Sequence, residues 1–287
     1  MRVLLLALLL QATDVVAGIV VQDYLGREVV LPGEARRIVA LAPHIVENLY
    51  AAGAGDRIVG AVEYSNYPQQ ARQIPRVGSF NAFSMEAIIM SRPDLIIMWG
   101  SGNGMTTLEK LETLHIPVFV SEPRTLQDIP RSLRLLGTLA GTATHGETAA
   151  RHFESEVALL RDTHRNDKQL AVLLQLWHQP LQTVNGDHLI SEIIALCGAH
   201  NAFADAKTLA PKLNIESVLQ RNPDVIIGSG AGVERPTWLD DWLDYPSLTA
   251  AQSRALFYIN PDHILRPTPR VLLGARELCA RLDSVRD

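Results

Sequence analysis

Apolar residues along this chain fall into two patterns, and the two patterns alternate. Short continuous apolar runs, such as LIIMW at 95–99, predict buried strands, whereas apolar residues with helical spacing predict amphipathic helices. Between residues 19 and 122 the order is a small hairpin followed by strand, helix, strand, helix, strand, helix and strand. Strands that alternate with helices form a mostly parallel sheet with helices on both faces, so the first half predicts an α/β lobe.

The second half repeats this pattern after one long polar segment. A strand is predicted at 168–177, and further helices and strands follow up to a closing helix that ends near residue 285. Between the halves, residues 143–167 contain no proline and no glycine after Gly146, and their apolar positions keep helical spacing. This segment therefore predicts one long helix that joins two α/β lobes, not a flexible linker.

The two halves also share a repeated stretch of sequence. SMEAIIMSRPDLIIMWG at 84–100 resembles NIESVLQRNPDVIIGSG at 214–230, with matched residues offset by 130 positions. Upstream, a second block matches at an offset of 145. A helix-to-strand junction can recur by chance, but two matched blocks favour a diverged duplication, which would give each lobe a similar glutamate near a helix start. The matched pairs are Glu86 with Glu216, Pro93 with Pro223, Asp94 with Asp224, Glu47 with Glu192, and Gly53 with Gly198.

The N-terminus and the composition bear on the compartment. Arg2 precedes the apolar run at 3–10, and small residues at 15–17 resemble a cleavage site, so a cleavable signal peptide is predicted at 1–17. The net charge of −5 gives no electrostatic case for nucleic acid or an anionic membrane. Cys197 and Cys279 form either one disulfide, which an oxidising compartment favours, or two separate buried thiols. The predicted organisation is a signal peptide at 1–17, a first lobe at 18–144, a linker helix at 145–167 and a second lobe at 168–287.

The candidate chemistry favours binding over catalysis. The sequence contains no G-x-S-x-G, no P-loop and no H-E-x-x-H, and its nine histidines are scattered, so neither a catalytic centre nor a metal site is predicted. The glycine-rich segments at 100–104 and 228–232 are interpreted as loops at the carboxyl ends of strands, where open α/β sheets bind ligands. His44, His178 and His263 follow predicted strands and could reach such a ligand.

Aromatic residues gather near the ends of predicted strands. At single positions such residues usually pack in a core, but several along one edge can hold a flat or bulky ligand. Polar contacts could come from Asp262 and Arg266, which follow a late strand. The aromatic residues in question are Tyr64, Tyr67, Phe80, Phe83, Trp99 and Trp177.

Several of these stretches carry a resemblance to a known family. Over residues 36–285 the chain resembles the periplasmic substrate-binding proteins of ABC importers for cobalamin and iron complexes, and within them the cobalamin binders. The stretches that carry it are YSNYPQQARQIPRVGSF at 64–80, SMEAIIMSRPDLIIMWGSGN at 84–103, LHIPVFVSE at 114–122, LCGAHNAF at 196–203 and DHILRPTPR at 262–270.

The resemblance implies a fold, a ligand and a partner. It implies two Rossmann-like lobes joined by one long rigid α-helix, a periplasmic monomer without a cofactor, and a corrinoid carried to an ABC permease dimer. Glu86 and Glu216 would dock onto arginines of the permease, and Cys197 and Cys279 match an intra-lobe disulfide of the family. The implied ligand-binding positions are Pro43, His44, Tyr64, Phe80, Trp99, Trp177, Asp262 and Arg266.

Some positions depart from the pattern of the cobalamin binders. Phe80 and Ala210 each stand where those proteins have a tryptophan, and Leu176-Trp177 replaces a Phe-Gly pair. Loss of a large aromatic side chain would remove ~1–3 kcal/mol of buried contact unless Trp177 or His178 fills the gap. Haem or a ferric siderophore therefore stays open as the cargo, with Tyr64 and a histidine as candidate ligands of haem iron. An exported α/β enzyme is a more distant alternative.

Overall fold

A computed structural model describes residues 18–230, 232 and 234–286, so the predicted signal peptide at 1–17 lies outside the described residues. The strands are β1 Ile19–Gln22, β2 Glu28–Leu31, β3 Ile38–Ala40, β4 Ile58–Ala61, β5 Gly78–Ser79, β6 Ala82–Phe83, β7 Leu95–Trp99, β8 Val118–Ser121, β9 Ala171–Gln175, β10 His200–Asn201, β11 Val225–Gly228 and β12 Leu256–Tyr258. The α-helices are α1 Pro43–Ala51, α2 Met85–Met90, α3 Gly100–Asn103, α4 Met105–Glu112, α5 Asp128–Leu139, α6 Ala143–Thr163, α7 Leu189–Leu196, α8 Ile215–Arg221, α9 Thr249–Gln252, α10 Pro261–Ile264 and α11 Val271–Arg286. Short 3₁₀ helices lie at Gly55–Arg57, Gln69–Gln73 and Thr237–Asp244.

Each half of the chain builds a four-stranded parallel sheet, and the two sheets have the same strand order. The first is β4-β3-β7-β8 and the second is β10-β9-β11-β12, with every neighbouring pair parallel. The central strands β7 and β11 are almost entirely buried, as expected of strands covered on both faces. The parallel sheets confirm the α/β prediction, and the shared order is the one that a diverged duplication would give.

The repeated stretch forms the same junction in both lobes. Helices α2 and α8 start after Ser84 and Asn214, whose side-chain oxygens accept hydrogen bonds from backbone N–H groups of the first turn at 3.1 and 2.9 Å. Asp94 then accepts hydrogen bonds from the backbone N–H groups of Arg36 and Arg37, which precede β3. Asp224 accepts the equivalent bond from Ala171, the first residue of β9. The repeated aspartate therefore ties each junction to the start of the neighbouring strand.

A long helix connects the lobes, and it packs on a helix that the sequence pattern did not predict. Helix α6 has 21 residues and lies slightly upstream of the predicted 145–167. It runs beside α5, where a Cβ on Gly146 would come within 2.5 Å of the carbonyl oxygen of Leu133. Glycine at 146 thus permits the close approach of the two helices. Among the described residues, none of the helices combines the length and the apolar character that a membrane span requires.

The second lobe contains the disulfide. Cys197, directly after α7, is bonded to Cys279 in α11, and both residues are buried. The bond confirms the disulfide alternative and joins two helices that pack on the same core.

Candidate ligand-binding site

The aromatic platform of the first lobe, Phe80 with Trp99, is held by the glycine-rich segment after β7. This segment is not the loop predicted for 100–104, because residues 100–103 form the short helix α3. A Cβ on Gly102 would lie 1.9 Å from the Trp99 ring, so only glycine allows the indole to pack against this turn. Asn103 accepts a hydrogen bond from the Trp99 backbone N–H at 2.6 Å and donates one to the carbonyl oxygen of Phe80 at 2.5 Å. These bonds hold the two rings next to each other, with centroids 6.2 Å apart and planes tilted by 42°.

Tyr64 projects from the loop after β4 in an uncommon backbone conformation. Its φ of +62° lies in the left-handed region, and its side chain is among the most exposed large side chains, at 72%. The Arg266 guanidinium donates a hydrogen bond to the Tyr64 carbonyl oxygen at 3.4 Å. The second lobe therefore supports the backbone from which this open ring extends.

Arg266 belongs to a buried ion cluster between the lobes, which the sequence did not predict. Glu47 of α1 accepts hydrogen bonds from Arg266 at 2.7 Å, from Arg270 at 3.1 Å and from the Thr268 hydroxyl at 3.0 Å. Arg266 is also paired with Asp262 at 2.7 Å. The Glu47 side chain is only 2% exposed, so this interlobe ion cluster is almost dry. Arg266 and Asp262 are therefore mutually engaged and can offer a ligand only their remaining polar atoms.

His44 lies behind the platform and not on its open face. It is 4% exposed, and its ring packs edge-on against Trp99 with centroids 5.3 Å apart. Burial lowers the pKa of His44 to about 3, and the neighbouring Arg266 charge acts in the same direction. Its Nε2 is buried and makes no hydrogen bond within the described part of the chain. The imidazole is thus neutral and supports Trp99 from below, while Pro43 beside it is the first residue of α1.

In the second lobe, Trp177 lies in the loop after β9. Its side chain is 49% exposed, and its indole N–H donates to the carbonyl oxygen of Gln179 at 3.1 Å. Gln182 pairs with Trp177 and also donates to the carbonyl oxygen of Ala210 at 3.2 Å. Trp177 and Ala210 are therefore linked through one residue. His178 turns to a separate cavity of the second lobe, of about 390 Å³, where it stacks on Trp238.

A cavity of about 160 Å³ lies between the lobes and has walls from both. Its first-lobe wall includes Trp99, so the cavity adjoins the aromatic platform, and together they form the cleft between the lobes. Sequence reasoning missed most of the residues around it, and only their position after strands or at a helix start could have pointed to them. They are Ser101, Glu122, Pro123, Arg124, Asp187, His188, Leu189, Leu209, Leu265 and Pro267.

One cluster has the composition of a metal site but is bonded as an ion-pair network. His164, Asp167 and Asp283 present ligand atoms within 4.8 Å of one another. The Arg286 guanidinium occupies the cluster, 3.0 Å from Asp167 and 2.8 Å from Asp283. His164 directly follows α6 and is only 8% exposed, and Asp283 of α11 lies 3.7 Å from its ring.

Comparison with known proteins finds vitamin B12-binding proteins and a heme-binding protein among the relatives of this chain. A vitamin B12-binding protein of Vibrio parahaemolyticus is 33% identical over 250 residues, which cover 87% of this chain and 90% of that protein. The crystal structure of the periplasmic vitamin B12 binding protein BtuF of Vibrio cholerae has a TM-score of 0.80 at 34% identity and covers 88% of this chain and 98% of that chain. The periplasmic heme-binding protein RhuT from Roseiflexus sp. RS-1, in its apo form, has a TM-score of 0.78 at 25% identity and covers 88% of this chain and all of that chain (100%).

The family match spans both lobes. The sequence profile described as "Periplasmic binding protein" matches residues 38–263, which include both sheets and the helix that joins them. Proteins of this family bind and carry ligands and are not enzymes. The profile and the Vibrio parahaemolyticus protein each match most of the chain, so the chain belongs to the periplasmic binding protein family.

Proposed function

We propose that this protein captures a corrinoid, cobalamin or a close derivative, in the cleft between its lobes and delivers it to an ABC-type permease. The observation that carries the proposal is the fixed platform of Phe80 and Trp99 at the cleft, in a chain 33% and 34% identical to two vitamin B12-binding proteins. A flat macrocycle gains contact area and dispersion energy by stacking on such rings. The protein acts as a periplasmic monomer, exported by the signal peptide at 1–17.

The ligand contacts divide between the lobes. Tyr64, Phe80 and Trp99 form the aromatic wall of the first lobe, with Pro43 beside them and His44 as support. Trp177, half-exposed in the loop after β9, is the aromatic residue that the second lobe would offer to the ligand in place of the small Ala210. Asp262 and Arg266 meet the polar periphery of the ligand with the atoms that the interlobe ion cluster leaves free.

The permease contact rests on the two glutamates of the repeated stretch. Glu86 and Glu216 are each the second residue of their helix, in the first turn, and both are exposed. A dimeric permease with one basic site per subunit would meet one glutamate from each lobe. The N-terminal dipole of each helix also favours a carboxylate there, so the pair combines a local and an intermolecular role.

Haem is the second candidate cargo, and one specific feature favours it. The hydroxyl of the exposed Tyr64 makes no hydrogen bond within the described residues, and a phenolate oxygen is a known type of haem iron ligand. Haem-binding proteins are also among the structural relatives.

Isothermal titration of the purified protein distinguishes the candidates. Cyanocobalamin, dicyanocobinamide, haemin and a ferric siderophore serve as parallel titrants. We expect one-to-one binding of the corrinoids with a dissociation constant below about 1 μM, which corresponds to ~8 kcal/mol of binding free energy. Binding of haemin without binding of either corrinoid would refute the corrinoid assignment.

A further inference from the structure

The interlobe cavity carries a group of polar side chains whose chemistry is specific. Three come from the first lobe and two from the second, and they surround the apolar surface of Trp99, Leu209 and Leu265. We call this group the polar rim; it consists of Ser101, Glu122, Arg124, Asp187 and His188.

His188 contributes a neutral hydrogen-bond donor. It caps helix α7, and its Nδ1 accepts a hydrogen bond from the Ile190 backbone N–H at 3.2 Å. Nδ1 can accept only when it carries no proton, so the proton of the neutral ring sits on Nε2. Burial lowers the pKa of His188, which keeps the ring neutral. Among the described residues its Nδ1 makes the one side-chain hydrogen bond of this ring, so the Nε2–H is free to donate to a ligand in the cavity.

The carboxylates of the rim contribute acceptors. Glu122 is held in place because one of its oxygens accepts from the Ser101 N–H at 2.6 Å and the other from the Ser101 hydroxyl at 2.8 Å. Asp187 is exposed and accepts one hydrogen bond, from Asn185 at 3.2 Å. Arg124 is the one cation of the rim, lies 3.4 Å from Glu122, and has a side chain that is 65% exposed. The rim therefore holds more negative than positive charge.

This combination suits a primary amide and not a carboxylate. An amide presents both an acceptor oxygen and two N–H donors, so it can accept from His188 and donate to Glu122 or Asp187. A ligand carboxylate has no proton to donate and would face two carboxylates against the single, largely exposed cation Arg124, so the net charge of the rim disfavours it. Corrinoids bear amide side chains around the macrocycle, whereas haem bears carboxylates.

We propose that the polar rim recognises the amide-bearing edge of a corrinoid and discriminates against tetrapyrroles whose edge carries carboxylates. The inference rests on the proposed function, because it requires the ligand to occupy the cleft. It adds the chemical class of the ligand periphery and the residues that select it.

The test compares two corrinoids that differ in their edge. Dicyanocobinamide bears amides, and dicyanocobyrinic acid bears carboxylates on the same ring system. By isothermal titration we expect the amide form to bind at least about thirtyfold more tightly, which corresponds to ~2 kcal/mol. The variant that combines Glu122→Gln with Asp187→Asn should narrow this ratio about tenfold, mainly by improving the binding of the acid form.

His188 is tested without loss of its helix cap. Serine is a preferred capping residue, so His188→Ser keeps the cap and removes only the long donor. We expect His188→Ser to weaken cobinamide binding about fivefold to tenfold with an unchanged melting temperature, as for loss of one neutral hydrogen bond. His152→Ser, at an exposed position on α6, is the matched control and should bind as the wild type does.

The outcomes separate this inference from the proposed function. Equal affinity for the amide and acid forms would overturn the rim selectivity and leave corrinoid capture standing. Tighter binding of haemin than of cobinamide would also overturn it. Absence of binding for every corrinoid would overturn the proposed function together with the inference.

Discussion

Replacement of Glu47 by glutamine tests whether the interlobe ion cluster holds the two lobes in one arrangement. Glu47 is the anion that Arg266 and Arg270 share, and it receives these contacts across the lobe interface. Glu47→Gln keeps the shape of the side chain and an acceptor oxygen but removes the charge. Both guanidiniums can still donate to that oxygen, but they lose the anion that neutralised them in a nearly dry site.

The size of the effect follows from the burial of the cluster. The side chains of Arg266 and Arg270 are 16% and 13% exposed, so water can replace the lost anion only in part. Removal of one partner from a buried ion pair costs about 3–5 kcal/mol. Arg266 keeps Asp262 at 2.7 Å, and Arg270 keeps its position over the Tyr67 ring, 4.0 Å from the ring centroid. We therefore expect the lower end, a loss of ~3 kcal/mol in the free energy of unfolding.

Urea unfolding followed by tryptophan fluorescence measures this loss, and the duplication supplies a matched control. Glu192 stands at the equivalent position of α7 and accepts one hydrogen bond across the lobes, from the Leu126 backbone N–H at 2.8 Å. Glu192→Gln should lower the free energy of unfolding by only ~1 kcal/mol. If Glu47→Gln destabilises the protein no more than Glu192→Gln does, the ion cluster does not stabilise the lobe arrangement and the reasoning is wrong.

Three further predictions concern other parts of the molecule. The pKa of His44 is lowered to about 3, so the unfolded chain binds a proton below about pH 6.5 that the folded state excludes, and stability is lost as pH falls through this window. By about pH 4 the protonation of His44 in the unfolded chain should lower the free energy of unfolding by ~3 kcal/mol, and His44→Leu should remove this pH dependence. An equal pH dependence of the urea midpoint in the wild type and in His44→Leu would contradict the prediction. Replacement of Cys197 and Cys279 by serine removes the bond that closes a loop of 82 positions and should lower the free energy of unfolding by ~4–5 kcal/mol. An unchanged melting temperature would exclude a loss of this size. Combined substitution of Glu86 and Glu216 by glutamine should leave corrinoid affinity unchanged and weaken capture by the permease in nanodiscs about tenfold or more; wild-type capture would argue against docking through these residues.

The sheets and the duplication could be predicted because their signals are local. Strands covered on both faces are continuous apolar runs, and the run at 95–99 forms β7 with the predicted bounds. The repeated glutamate, proline and aspartate mark a junction whose hydrogen bonds reach only the neighbouring strand. Burial of a strand and capping of a helix depend on nearby residues and leave a pattern in the sequence, so the sequence predicts both lobes.

The interlobe contacts could not be predicted, since they depend on how two separately folded units meet. Nothing around Glu47 indicates that its partners lie more than 200 positions away, in the segment that contains Arg266. His44 is predicted near the ligand because it follows a strand, but the local pattern does not show that its ring is buried and packs edge-on against Trp99. Helix α5 was missed because Pro130 interrupts its pattern, although proline is tolerated in a first helical turn.

The two lobes differ at the positions that form the aromatic platform, which is the binding surface that we propose. At the offset of 130 positions that relates the repeated stretches, Phe80 corresponds to Ala210 and Trp99 corresponds to Ser229. The first-lobe residues form the aromatic platform, whereas Ser229 is fully buried and Ala210 is small. Residues that keep the fold, such as the strand-tying aspartates, are retained in both copies. Under the proposed function, a ligand that contacts the two lobes unequally would remove the constraint that keeps the copies alike at these two positions. The proposed docking to a permease dimer would account for the retained pair Glu86 and Glu216, because a two-fold symmetric partner requires the same group from each lobe.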